Sequence, residues 1–134
     1  MQKSIVAIAF VLALSGCATT GQSSANQTKA NMFQATIPVC DGTADCQAKW
    51  EAAQLWVVKH SPMQLQVTTN VTIQTYNSPK DSLSLAARIT KEPLGNGKYK
   101  ILINAWCDNW MFSCNPNKMD AQIHFNNYIN SIKS

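Results

Sequence analysis

Residues 63–76 read MQLQVTTNVTIQTY, a stretch in which apolar and polar side chains alternate. Met63, Leu65, Val67, Val71 and Ile73 share one parity, and Gln64, Gln66, Thr68, Asn70, Thr72 and Gln74 share the other. Period two with Val and Thr enrichment predicts a strand with one buried face. At ~3.3 Å per residue the stretch is long for one strand, so a bulge or bend near Thr69-Asn70 is expected.

The flanking sequence supplies partners for that face. Downstream, Asn77 to Asp81 with Pro79 is turn chemistry. Leu83, Leu85, Ala87 and Ile89 then alternate with Ser82, Ser84, Arg88 and Thr90 as a second strand. Pro93 and Gly95-Asn96-Gly97 stop it in a hairpin loop, and Tyr99, Ile101, Ile103 and Ala105 form a third strand. Upstream, Cys46, Trp50, Ala53, Val57 and His60 recur every three to four residues, with Leu55 and Trp56 widening the stripe. That spacing predicts an amphipathic helix over 44–60. Asp41 or Thr43 caps it, and Ser61-Pro62 ends it. Near the C-terminus, Asn115 reads as an N-cap and Pro116 as the first residue of a helix reaching about Ile132. Its inner side is Ala121, Phe125, Tyr128, Ile129 and Ile132. The expected fold class is α+β: a helix, a three-stranded antiparallel meander and a helix, with both helices on one face of the sheet.

The chain opens MQKSIVAIAFVLALSGC. A basic start at Lys3, an apolar core from Ile5 to Leu14 and small residues at Ser15 and Gly16 have the layout of a secretory signal. The core is about half the ~20 residues that span a bilayer. Leu14-Ser15-Gly16-Cys17 resembles the lipobox of bacterial lipoproteins. The resemblance implies a diacylglyceryl group on the Cys17 thiol, cleavage after Gly16 and acylation of the freed amine. Two or three chains anchor a protein stably where one does not. Ala18, rather than Asp, after the cysteine implies sorting to the outer membrane; the domain is expected to face the periplasm. The other reading is an ordinary signal peptide with an incidental cysteine. The resemblance covers residues 1 to 17 only.

The expected division is therefore a signal peptide over 1–16, a lipidated cysteine with a tether over 17–34, and a domain over 35–134. Removing sixteen of 134 residues leaves 118, enough for one core. One of the eleven basic residues goes with the signal, leaving ten against seven acids. That balance is too mild and too dispersed for a nucleic-acid partner. Residues 18–34, ATTGQSSANQTKANMFQ, show no apolar periodicity and are expected as a flexible spacer.

Beyond Cys17 four cysteines remain: Cys40, Cys46, Cys107 and Cys114. In an exported chain they read as two disulfides. Spacing favours the local pairs Cys40–Cys46 and Cys107–Cys114, each worth roughly 2 kcal/mol by loop closure. The alternative cross-links the first helix to the end of the sheet. Neither pair has the tight spacing of a zinc site.

Few residues suggest chemistry. His60 and His124 read as structural, one closing a helix and one beside Phe125. The seven carboxylates form no evident pair. No nucleophile elbow, phosphate loop or dinucleotide fingerprint is present. No enzyme, cofactor or metal site is expected. The loop between Cys107 and Cys114 stands out, because Trp110, Met111 and Phe112 sit where loops are normally polar. They are either a preorganised binding anchor or a plug folded back beside Trp50 and Trp56. The polar face of the 63–76 strand is either a solvated surface or a contact for glycan or another strand.

Two binding roles compete. One is a scaffold module in the envelope, docking on another protein or on peptidoglycan. The other is an inhibitor or immunity protein against a secreted hydrolase. An enzyme ranks third.

Overall fold

A computed structural model describes residues 20–134. The expected signal peptide and the expected lipidation site Cys17 lie outside the described residues. The fold class is α+β. Among the described residues, helices α1 (Thr20–Ala35), α2 (Gly42–His60) and α3 (Lys118–Ser131) accompany strands β1 (Val39–Asp41), β2 (Leu65–Thr68), β3 (Thr72–Thr75), β4 (Ala86–Gly95) and β5 (Lys98–Trp106). The strands form one antiparallel sheet in the order β1-β5-β4-β3-β2.

The expected three-stranded meander is thus a five-stranded sheet, for two local reasons. The 63–76 stretch is not one bent strand but a hairpin. Thr69 Oγ1 accepts from the Val71 and Thr72 amides (3.2 and 3.0 Å), and the Thr69 N–H donates to the Thr72 carbonyl (2.8 Å). A hydroxyl bonding the backbone two and three residues on is a turn device, and it folds β2 back onto β3. The register then shifts between Leu65 and Val67. Leu65 lies opposite buried Thr75, whereas Val67 lies opposite Gln74 and is exposed. The second reason is β1, three residues long, which adds to the free edge of β5.

The core lies between the sheet and the helices, and α2 and α3 both bury residues in it. Ile73, Ala87, Ile89, Ile101, Ile103 and Ala105 face Trp50, Ala53, Trp56 and Val57 of α2 and Phe125 and Ile129 of α3. Phe125 meets the Trp56 ring edge-on, centroids 5.3 Å apart. Buried polar groups are tied to backbone: Gln122 Oε1 accepts from the Ala105 amide (2.7 Å), and Thr75 Oγ1 from Ala87 (3.0 Å). The start of α3 shifts from its expected place. Pro116 precedes the helix in a cis bond with Asn115, and Asn117 is the cap, accepting from the Met119 and Asp120 amides.

Residues 20–35 form α1 rather than a structureless spacer. Its sequence is polar on all sides, and such a helix needs docking to persist in water. The docking comes from α3. Phe33 is buried, Asn126 Nδ2 donates to the Phe33 carbonyl (3.1 Å) and to Thr36 Oγ1 (3.2 Å), and Asn130 Nδ2 donates to the Thr36 carbonyl (2.8 Å). Lys29 pairs with Asp120 at 2.6 Å. Lys29 meets the first turn of α3 and Thr36 its last, so the two helices run parallel.

The molecule therefore has two ends. At one lie the starts of α1 and α3, the end of α2 and the 107–117 connection. At the other lie the start of α2, the β4–β5 turn at Gly95–Gly97 and the turn at Thr69.

Candidate functional site

At the end carrying the start of α2, a cleft of about 560 Å³ opens between that helix and the sheet. Several local features build it. The Cys40–Cys46 disulfide joins β1 to the second turn of α2, with Cα atoms 4.9 Å apart. Gly42 takes a positive φ of 80°, the left-handed region that favours glycine, and its N–H donates to the Gly97 carbonyl (3.0 Å). Asp45 accepts from the Asp41 amide (2.9 Å) and from Lys49 Nζ (3.0 Å). The Asp41 amide, helped by Lys49, holds the Asp45 carboxyl below its ordinary range.

Within the cleft Trp50 is fixed by its indole N–H on the Thr69 carbonyl (3.0 Å). Lys91 extends its ammonium over two rings, 5.2 Å from the Trp50 centroid and 5.6 Å from that of Tyr99. Cation–π attraction favours that position. Among the described residues Lys91 has no carboxylate partner; the ion pairs join Lys29–Asp120, Lys49–Asp45, Lys98–Asp41 and Lys100–Glu92. Gln47, Glu51, Gln54 and Asn70 add amides and one carboxylate to the walls. A held cation, aromatic rings and a ring of amides can bind a polar ligand through hydrogen bonds.

At the other end, Trp110, Met111 and Phe112 are 84, 59 and 64% exposed. They do not fold back beside Trp50 and Trp56. Their loop is closed by the Cys107–Cys114 disulfide, Cα atoms 5.7 Å apart. Asn109 braces it from within, Oδ1 accepting from the Met111 and Phe112 amides (3.0 and 2.8 Å) and Nδ2 donating to the Asp81 carbonyl (2.7 Å). The Asn115 amide donates to the Leu83 carbonyl (2.9 Å) and fastens its base.

The two histidines, far apart in sequence, meet here too, with ring centroids 5.1 Å apart. His60 stacks on Trp56 at 4.6 Å. The Trp56 indole N–H donates to His124 Nδ1 (3.0 Å), which therefore bears no hydrogen, and its ring proton sits on Nε2. His60 Nδ1 faces the Trp56 carbonyl (2.8 Å) and must be the donor. With Leu85, Pro116, Asp120 and Ala121 the rings border a second, largely apolar cavity of about 350 Å³. The Nε2 proton keeps His124 from ligating a metal through that atom while the Trp56 bond stands. Among the described residues no three His, Cys, Asp or Glu side chains converge as a metal site requires. The four-residue spacing of Asp120 and His124 puts both on one face of α3, but no spacing in the sequence brings His60 to them.

No family model, no curated protein and no solved structure matches this chain.

Proposed function

We propose that this chain is a lipid-anchored protein of the bacterial outer membrane whose folded part is a binding module facing the periplasm. The lipobox-like residues at 14–17 support the anchor. They stand three residues before the first residue of α1. The disulfides suit an oxidising compartment.

The cleft beside Trp50 carries the binding role. Its unpaired Lys91 ammonium, amide walls and aromatic floor fit a ligand rich in hydroxyl, amide and carboxylate groups, which is the chemistry of peptidoglycan. The cleft opens at the end opposite the start of α1, so a chain anchored through Cys17 presents it away from the lipid.

Two measurements test this reading. Cys17→Ser should take the protein out of the outer-membrane fraction; a variant that still sediments with outer membranes overturns the anchor. The wild-type protein should also cosediment with purified peptidoglycan sacculi. Lys91→Ala should cut that retention about tenfold, the loss of one charge-assisted contact. Equal retention of both forms, or none of either, removes peptidoglycan as the ligand. Envelope crosslinking that captures a secreted hydrolase at the cleft would put the inhibitor role in its place.

A further inference from the structure

The start of α1, three residues after the lipobox-like cysteine in sequence, belongs to the same end of the molecule as the exposed loop. Helix α1 runs parallel to α3 with Lys29 at the first turn of α3, so its first residues extend past the start of α3 at this end. Asn26 and Lys29 of α1 border one recess with Asn117 and Lys118. The same Asn117 and Lys118 border the neighbouring recess with Trp110, Met111 and Phe112. Thr20 lies six residues further along α1, roughly 9 Å at 1.5 Å per residue. Three more residues to Cys17 reach at most about 11 Å.

We propose that the Trp110–Met111–Phe112 loop inserts into the lipid interface next to the anchor, as a second membrane contact that sets the orientation of the domain. The inference rests on the reading of Cys17 as lipidated. Three large apolar side chains exposed on one short loop are costly in water and suited to the headgroup–acyl boundary, where tryptophan in particular concentrates. The loop is held by a disulfide and by the Asn109 and Asn115 hydrogen bonds, so little conformational entropy is lost on insertion. The loop carries Asp108 beside it as well as Lys118 after it. Apolar area rather than net charge therefore drives the contact, and salt has little influence on it. A lipid surface is favoured over a protein partner because a chain tethered at this end already holds the loop against lipid.

The test uses the full-length processed protein, purified in detergent and reconstituted into phosphatidylethanolamine–phosphatidylglycerol vesicles with brominated acyl chains. Bromine quenches tryptophan only at close range. Wild-type emission should fall on brominated relative to plain vesicles, and the fall should persist at high salt. Trp110→Phe, at an exposed position where the change leaves the core untouched, should lose most of that fall, because Trp50 and Trp56 are buried and Trp106 is half-buried at the base of the loop. Equal quenching of both forms, or none in wild type, overturns the proposal. So does shielding of Trp110 from acrylamide that appears only as protein concentration rises, which would assign the loop to a second copy. The mass of the N-terminal peptide is read separately. An unmodified Cys17 sinks the anchor reading by itself, whereas Trp110 quenching in vesicles mixed with that protein would leave loop insertion standing.

Discussion

Phe125→Ala should cost about 3–5 kcal/mol, the usual range for truncating a buried phenylalanine. Phe125 is fully buried, and its ring packs edge-on against Trp56 between α3 and α2. Truncation removes both the transfer free energy of the ring and its dispersion contacts, and the surrounding sheet residues cannot all move in to fill the space. Domains of this size are stable by only about 5–15 kcal/mol. A large part of the stability would go, with the melting temperature falling by about 10–20 °C. Far-UV circular dichroism on heating reads this directly. A loss below about 1 kcal/mol would mean that α3 does not pack on α2 through this ring.

Asn126→Ala should act locally. The side chain is fully buried, and its two donated hydrogen bonds hold the end of α1 to α3. Its removal leaves the Phe33 carbonyl without that donor, a penalty of about 1–3 kcal/mol. Because α1 is polar and has little apolar area of its own in the core, that cost falls on the docking of α1 rather than on the sheet. Hydrogen exchange should show α1 amides losing protection while β4 and β5 amides keep theirs. Uniform loss across the chain, or no change in α1, would contradict the description of α1 as a separately held element. Asn126 Oδ1 has no partner among the described residues, so the side chain works through its donors alone.

Most of the sheet and both core helices are legible in the sequence, because their signals are periodic and long. The stripe from Cys46 to Val57 specifies α2, and the alternation from Tyr99 to Ala105 specifies β5. The rest depends on contacts that no local pattern encodes. Helix α1 lacks an apolar stripe and exists through Asn126 and Asn130, some ninety residues away. Strand β1 is too short to show a period. The 63–76 stretch keeps its alternation across the Thr69 turn, since a turn of suitable length need not break the parity, and so reads as one strand. The shift from Asn115 to Asn117 as the cap of α3 follows from two similar residues lying on either side of one proline.

The candidate sites divide in the same way. The Trp110–Phe112 loop announces itself, as three large apolar side chains inside a cysteine-bounded turn. The Lys91 cleft is invisible in sequence, because Trp50, Lys91 and Tyr99 come from three different elements and only the sheet register and α2 bring them together. The meeting of His60 with His124 likewise requires α2 and α3 to cross near Trp56.

The central claim is that the end bearing the 107–114 loop and the start of α1 stands on the membrane while the cleft faces away. Hydrogen exchange of the vesicle-reconstituted protein, compared with a lipid-free form that begins at Ala18, tests it most directly. Slowed exchange over 107–118 and the first turns of α1, with 95–97 and the start of α2 unchanged, is the predicted result. Protection confined to the 95–97 end, or no difference over 107–118, would contradict it.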